Sequence, residues 1–247
     1  MTMLKRRTIP TKPRFAYAVK RAYEVLAHIG ATELPIDPVK IGEFYPEIQI
    51  ASYTELKENT GEADPLFFSE RNARYDFLEG FTHTGRSSHI DGETRRIRGR
   101  DDFLLVYDDR IRSECRIRWT IAHELGHIFL GHFTQFDIST VVRGEMGTRV
   151  HSSLSDKEYG VLEVEAHYFA AAFLVPATVV KKIPCCKTTR GIMDICAISE
   201  DAAIRRLNEL RQLPYGSYET EAILNRNFYN YIKKTNHPNT AVFTPAL

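Results

Sequence analysis

The sequence predicts an α+β fold, mainly helical, with a small antiparallel sheet and a short helical appendage near the C-terminus. Three observations carry that expectation. Apolar residues recur at helical spacing from Phe15, after Ser113 and again from Leu162. The run Phe103-Leu104-Leu105-Val106-Tyr107, bounded by aspartate pairs, has the composition of a strand. After Pro184, two short helical patterns follow each other across a break at Ala197-Ile198-Ser199.

Taken in order, residues 1–14 read as a basic, proline-broken flexible arm with little to bury. Phe15, Val19, Ala22, Leu26 and Ile29 then form one face of an amphipathic helix ending at Gly30. Asp37-Pro38 supplies a cap and a first-turn proline for a short helix through Ile41 and Phe44. Ile48, Ile50 and Tyr53 suggest a strand. Residues 59–100 read as strand pieces and long loops, with Arg95, Arg96, Arg98 and Arg100 as solvated loop charge. The Phe103–Tyr107 strand either pairs with an extended substrate at an open edge or is an ordinary paired core strand.

At 247 residues, 43% hydrophobic and 26% charged, the chain excludes wholesale disorder and fibrous repeats. Its 33 basic and 32 acidic side chains leave a net charge of +1, so no global field draws it to nucleic acid or anionic membrane. No run reaches the roughly 18 apolar residues of a membrane span. The basic start, Met1 to Arg7, is followed by Pro10, Lys12, Pro13 and Arg14 where a secretion signal needs an apolar segment. Cys115, Cys185, Cys186 and Cys196 make no disulfide framework and read as reduced thiols in a cytoplasm.

Chemistry concentrates after Ser113, which can cap a helix running to about Gly131. Within it lies His123-Glu124-Leu125-Gly126-His127. Histidines at i and i+4 project from one helix face and can converge on one ion, with Glu124 beside the open coordination position. Ile117, Ile121, Leu125 and Ile128 form the opposite stripe, so the ligands are expected to face a cleft. His132 is assigned to the helix C-terminus, where the dipole favours it, rather than to ligation.

A hydrolytic zinc site needs a third protein ligand. The segment Leu162 to Val175, ended by Pro176, reads as a long helix carrying Glu163 and Glu165. Two residues apart is about 200° around a helix, so only one can serve. Glu163 shares its face with Ala166 and Ala170, whose small side chains permit close helix approach, whereas bulky Tyr168 and Phe169 follow Glu165. Glu163 is therefore the chosen ligand. Zinc suits two histidines and a carboxylate, and Mn2+ or Fe2+ can use the same set.

These two segments, from Arg118 through His127 and from Glu163 through Pro176, resemble the ImmA/IrrE family of zinc metallo-endopeptidases, as does Leu34 to Ile41. The resemblance covers roughly residues 15 to 210. It implies a zincin-like domain with His123, His127 and Glu163 as ligands and Glu124 as catalytic base. It also implies a helix-turn-helix repressor as protein substrate, and a role in stress response or mobile-element transfer. The family usually has Asn or Asp where this chain has His167, so His167 is either a functional group (a support for a metal-bound histidine, a substrate-orienting side chain or a supplementary ligand) or a packed, satisfied side chain.

The expected organisation is an arm (1–14), a zinc metallopeptidase domain (15–184), a helix-turn-helix-like appendage (185–235) and a tail (236–247). Arg205 and Arg206 are a weak basic set opposed by Glu200, Asp201 and Glu209, so direct DNA binding is disfavoured. Cys185, Cys186 and Cys196 read as inert thiols rather than a sensor. A helix is expected over Ala222 to Lys233. The expected function is a regulated, site-specific zinc endopeptidase. Its rival is a non-proteolytic, antitoxin-type regulator that docks on a repressor and keeps the metal only structurally.

Overall fold

The computed structural model describes residues 8–60, 78–86, 89–97, 102–136, 142–143, 149–150, 155–212 and 219–237. The chain divides into two compact units, one of residues 1–22 and 37–170 and the other of 23–36 and 171–247. The expectations for residues 1–7, for residues 61–77 of the strand-and-loop stretch, for Arg98 and Arg100, and for the tail beyond His237 lie outside the described residues.

The amphipathic pattern from Phe15 forms α1 (Phe15–His28), followed by Gly30 at φ +62°, where glycine carries no steric penalty. Asp37 accepts a hydrogen bond from the Val39 amide and opens a 3-10 turn, Pro38–Lys40, that leads into α2 (Ile41–Phe44). Strand β1 (Ile48–Ser52) stops one residue before the expected Tyr53, because Ser52 begins another helix, α3 (Tyr53–Thr60). The Ser52 amide donates to Glu55, and the Glu55 amide donates to Ser52 Oγ. This reciprocal cap was present in the sequence as Ser52-Tyr53-Thr54-Glu55.

Strands β2 (Leu78–Arg86), β3 (His89–Ile97) and β4 (Phe103–Tyr107) complete a four-stranded sheet in the order β1-β4-β3-β2. β2, β3 and β4 pair antiparallel as expected, whereas β1 pairs parallel to β4, so the sheet is mixed. β4 is bonded on both sides and has no open edge, which leaves the paired-core reading of Phe103–Tyr107 and removes the substrate-pairing one. Arg95 and Arg96 belong to β3 rather than to a loop, and Arg96 donates to the carbonyl of Phe133.

Ser113 caps α4 (Glu114–Phe129) through the Arg116 amide, and Gly131 at φ +70° separates α4 from the single turn α5 (His132–Gln135). A two-residue ladder, β5 (Val142–Arg143) with β6 (Arg149–Val150), precedes α6 (Asp156–Leu174). Ser155 and Glu158 cap α6 reciprocally.

α4 departs from the expected two-sided helix. Every residue from Thr120 to Phe129 is buried, while Ile117 at the front of the stripe is half-exposed. Two close approaches explain the burial. A Cβ on Gly92 of β3 would fall 2.5 Å from Cγ2 of Thr120, and one on Gly126 would fall 3.0 Å from Cα and O of Ala166 in α6. The sheet and α6 thus grip α4 from different sides, each at a position lacking a side chain on one partner.

In the other unit, Pro176 ends the long helix and starts α7 (Ala177–Val180), after which a 3-10 turn (Pro184–Lys187) leads to α8 (Thr189–Cys196) and α9 (Glu200–Gln212). The break between α8 and α9 falls at Ala197, a left-handed residue at φ 50°. Arg206 is buried, donating through Nε and Nη2 to the carbonyl of Val175 and through Nη1 to Glu209. It closes a helix end and is removed from any DNA-facing set. The expected single helix over 222–233 is two, α10 (Glu219–Asn227) and α11 (Tyr229–Asn236), broken where Phe228 turns wholly inward. Cys186 and Cys196 are buried free thiols, and desolvation, with neighbouring sulfurs, pushes the Cys186 thiol strongly up. That is the condition of an inert thiol. Among the described residues no helix is long and apolar enough to cross a membrane.

Candidate metal centre

The i, i+4 spacing on α4 brings His123 and His127 together as the sequence predicts, with their Nε2 atoms 3.2 Å apart. Glu163 of α6 meets both. Its Oε2 lies 3.3 Å from His123 Nε2 and its Oε1 3.2 Å from His127 Nε2. Among the described residues these three side chains form the one His/Cys/Asp/Glu group able to hold a metal ion, with one ligand atom of each inside a 4.8 Å span.

Distances of this size fit shared coordination. Bonds of about 2.0–2.1 Å arranged tetrahedrally give ligand–ligand edges of about 3.3–3.4 Å. The buried Oε1 of Glu163 receives no hydrogen bond from the described residues. A buried carboxylate oxygen without a donor is costly in an apolar setting and is satisfied by a cation.

The electrostatics follow the same convergence. Burial raises the Glu163 pKa, but the two imidazoles outweigh it and hold the carboxyl well below its ordinary 4.5. Burial pulls His123 down, and the bond and charge of Glu163, with the charge of Glu124, more than reverse it.

Glu124 is wholly buried, and Thr94 Oγ1 of β3 donates to its Oε2 at 2.9 Å. Thr94 was not a sequence candidate. It lies two residues beyond Gly92, whose absent side chain admits α4, so the strand that grips the helix also fixes the rotation of the acid.

Glu165 points away from the cluster, as 200° of rotation requires. It is buried and accepts from the Arg14 amide at 2.7 Å, from Arg14 Nε at 2.9 Å and from Arg14 Nη2 at 2.7 Å. His132 Nε2 meets the same carboxylate at 3.2 Å, and His132 Nδ1 lies 2.9 Å from Nδ1 of His127. His132 is therefore not a dipole-stabilised residue at the end of α4 but a buried link between Glu165 and a histidine of the cluster. Desolvation dominates its titration and lowers its pKa to about 4. Burial raises the Glu165 pKa, and the bonds from His132 and Arg14 overcome it and bring it to about 2. Sequence reading missed these roles because Arg14 and Glu165 stand 151 positions apart and no local pattern joins them.

His167, one turn beyond Glu163, packs its ring against Trp119 with centroids 4.9 Å apart. Tyr168 packs against Phe15 at 4.4 Å.

Residues 87–185 match the family model of the IrrE N-terminal-like domain, Peptidase_M78, and this span contains His123, Glu124, His127 and Glu163. No curated protein matches the chain. A peptidase-domain match laid over a His/His/Glu cluster with an adjacent buried glutamate supports a metallopeptidase-type function, and over residues 87–185 it supports kinship with the ImmA/IrrE family.

Proposed function

We propose that the protein is a zinc-dependent endopeptidase that makes a site-specific cut in a protein substrate. The observation that carries this reading is the Nε2/Nε2/carboxylate triangle with edges of 3.2–3.3 Å, beside a glutamate held by Thr94. His123, His127 and Glu163 would hold the ion, and Zn2+ suits this donor set best, with Mn2+ and Fe2+ as alternatives. A bound zinc ion supplies Lewis acidity and lowers the pKa of a coordinated water toward about 7. Glu124 takes a proton from the attacking water and returns it to the leaving amine. Thr94 keeps the Glu124 carboxylate in one orientation, so that this transfer needs no side-chain search.

A helix-turn-helix repressor as the substrate rests on the family resemblance. The docking regulator with a structural ion is the second reading, and it draws on one observation, the complete burial of Glu124. Metal analysis and mass spectrometry of a repressor encoded beside this protein, incubated with wild type and with Glu124→Gln, separate the two. A defined cut by the zinc-loaded wild type and none by a Glu124→Gln protein of equal zinc content supports the peptidase. An intact repressor that still binds the protein supports the docking reading, and cleavage by purified Glu124→Gln removes the assigned base.

A further inference from the structure

We propose that His132 is a positioning residue for His127, itself held in one tautomer by Glu165 and Arg14; this rests on the metal-site reading above. The direction of each hydrogen bond follows from the chemistry of its end. Arg14 offers only donors, and its three contacts make both oxygens of Glu165 acceptors. The Glu165 charge is then already matched by a guanidinium. His132, wholly buried, has no further anion among these partners to offset an imidazolium.

A neutral His132 facing a carboxylate must carry its proton on Nε2. Its Nδ1 is then a lone pair, and the 2.9 Å contact requires the proton to sit on Nδ1 of His127. That leaves the His127 Nε2 lone pair turned toward His123 and Glu163, the form a cation needs. The opposite tautomer of His127 would put a proton into the metal position. His132 is not itself a ligand, because it sits on the Nδ1 side of the His127 ring, away from the cluster. The final residue of the expected flexible arm, Arg14, is thereby tied to the orientation of a metal ligand.

The test uses the full chain and zinc alone as the probe. Wild type, His132→Phe, His132→Gln and Gly160→Ala are compared by competition with a chelator of known zinc affinity. His132→Phe is expected to weaken zinc binding about 10- to 100-fold, the usual loss for an outer partner of a ligand. His132→Gln recovers most of it, since a glutamine amide can accept from His127 and donate to Glu165. Gly160→Ala, whose added Cβ meets nothing within 4 Å, stays near wild type.

A second measurement needs no variant. Long-range 1H–15N spectra of the zinc-loaded wild type are expected to show His132 protonated on Nε2 and bare on Nδ1. A His132→Phe protein within twofold of wild type, a His132→Gln protein no better than His132→Phe, or a His132 proton on Nδ1 would each overturn the assignment. Wild type that takes up no zinc would instead fail the metal-site reading itself.

Discussion

Gly126 lies against the backbone of Ala166 so closely that a Cβ there would stand 3.0 Å from both Cα and O of that residue. The contact sets the distance between the two helices that carry the cluster, since His127 follows Gly126 directly and Glu163 lies one turn before Ala166. Gly126→Ala should therefore destabilise the fold by about 1–3 kcal/mol through overpacking, with the better helix propensity of alanine recovering up to about 1 kcal/mol. It should also reduce the zinc held per chain. Gly160 on α6 is the control, because nothing lies within 4 Å of its added Cβ. Gly160→Ala should leave zinc unchanged and raise stability by up to about 1 kcal/mol. Denaturation midpoints and metal analysis of both variants check the contrast.

Glu163 and Glu165 should separate cleanly under the same substitution. On the proposed assignment Glu163→Gln alters a metal-holding carboxylate, and zinc affinity should fall by more than the 10- to 100-fold typical of outer partners, with little loss of fold stability. Glu165→Gln breaks a buried ion pair with Arg14, a change that typically costs about 3–5 kcal/mol. Here about 2–3 kcal/mol is expected, because 25% of the Arg14 side chain stays in solvent. Equal effects of the two variants on urea unfolding would contradict the assignment of separate roles.

Acid should act on the chain in two steps. His132 has a native pKa of about 4 against an ordinary 6.5, so above pH 6.5 it is neutral both folded and unfolded and contributes nothing to pH dependence. Between pH 6.5 and 4 the unfolded chain takes up a proton that the native chain does not, and stability falls by about 3 kcal/mol in total. Glu165, at about 2 in the native state against 4.5, adds stability that is present above pH 4.5 and lost as pH falls toward 2. In metal-free protein, His132→Gln should flatten the stability curve between pH 6.5 and 4 and leave the lower step in place. Unfolding curves at half-unit pH intervals would show it.

Arg206 closes the chain after α6 with two donors on the Val175 carbonyl and one on Glu209. Arg206→Met keeps much of the volume but leaves a buried carbonyl without its donors, at an expected cost of about 1–3 kcal/mol. Thermal melting should detect the loss. Arg205→Met, at the exposed neighbouring position, should melt within about 0.5 kcal/mol of wild type.

How much was legible along the chain depended on the range of the interaction. The convergence of His123 and His127 follows from their i, i+4 spacing within the His-Glu-x-x-His motif, and Glu163, which meets both, was separable from Glu165 by rotation about one helix and by the small residues on its face. The Asp37 cap, the Ser113 cap and the strand Phe103–Tyr107 are equally local, and the structure contains each of them. Two further caps, Ser52 with Glu55 and Ser155 with Glu158, were readable by the same rule.

Pairing and burial were another matter. Whether Phe103–Tyr107 lay at an edge depended on β1 joining it in parallel, across a crossover that carries no local mark. Thr94 finds Glu124 across 30 positions, and Arg14 finds Glu165 across 151. A helix turn records which side chains share a face because its geometry repeats every few residues. A hydrogen bond between distant segments records nothing locally, since its partners are chosen by how the sheet and α6 close on α4. The cluster of His123, His127 and Glu163 thus belongs to the short-range grammar of one helix and its neighbour, while the groups that orient it exist only once Gly92 and Gly126 have let those layers come together.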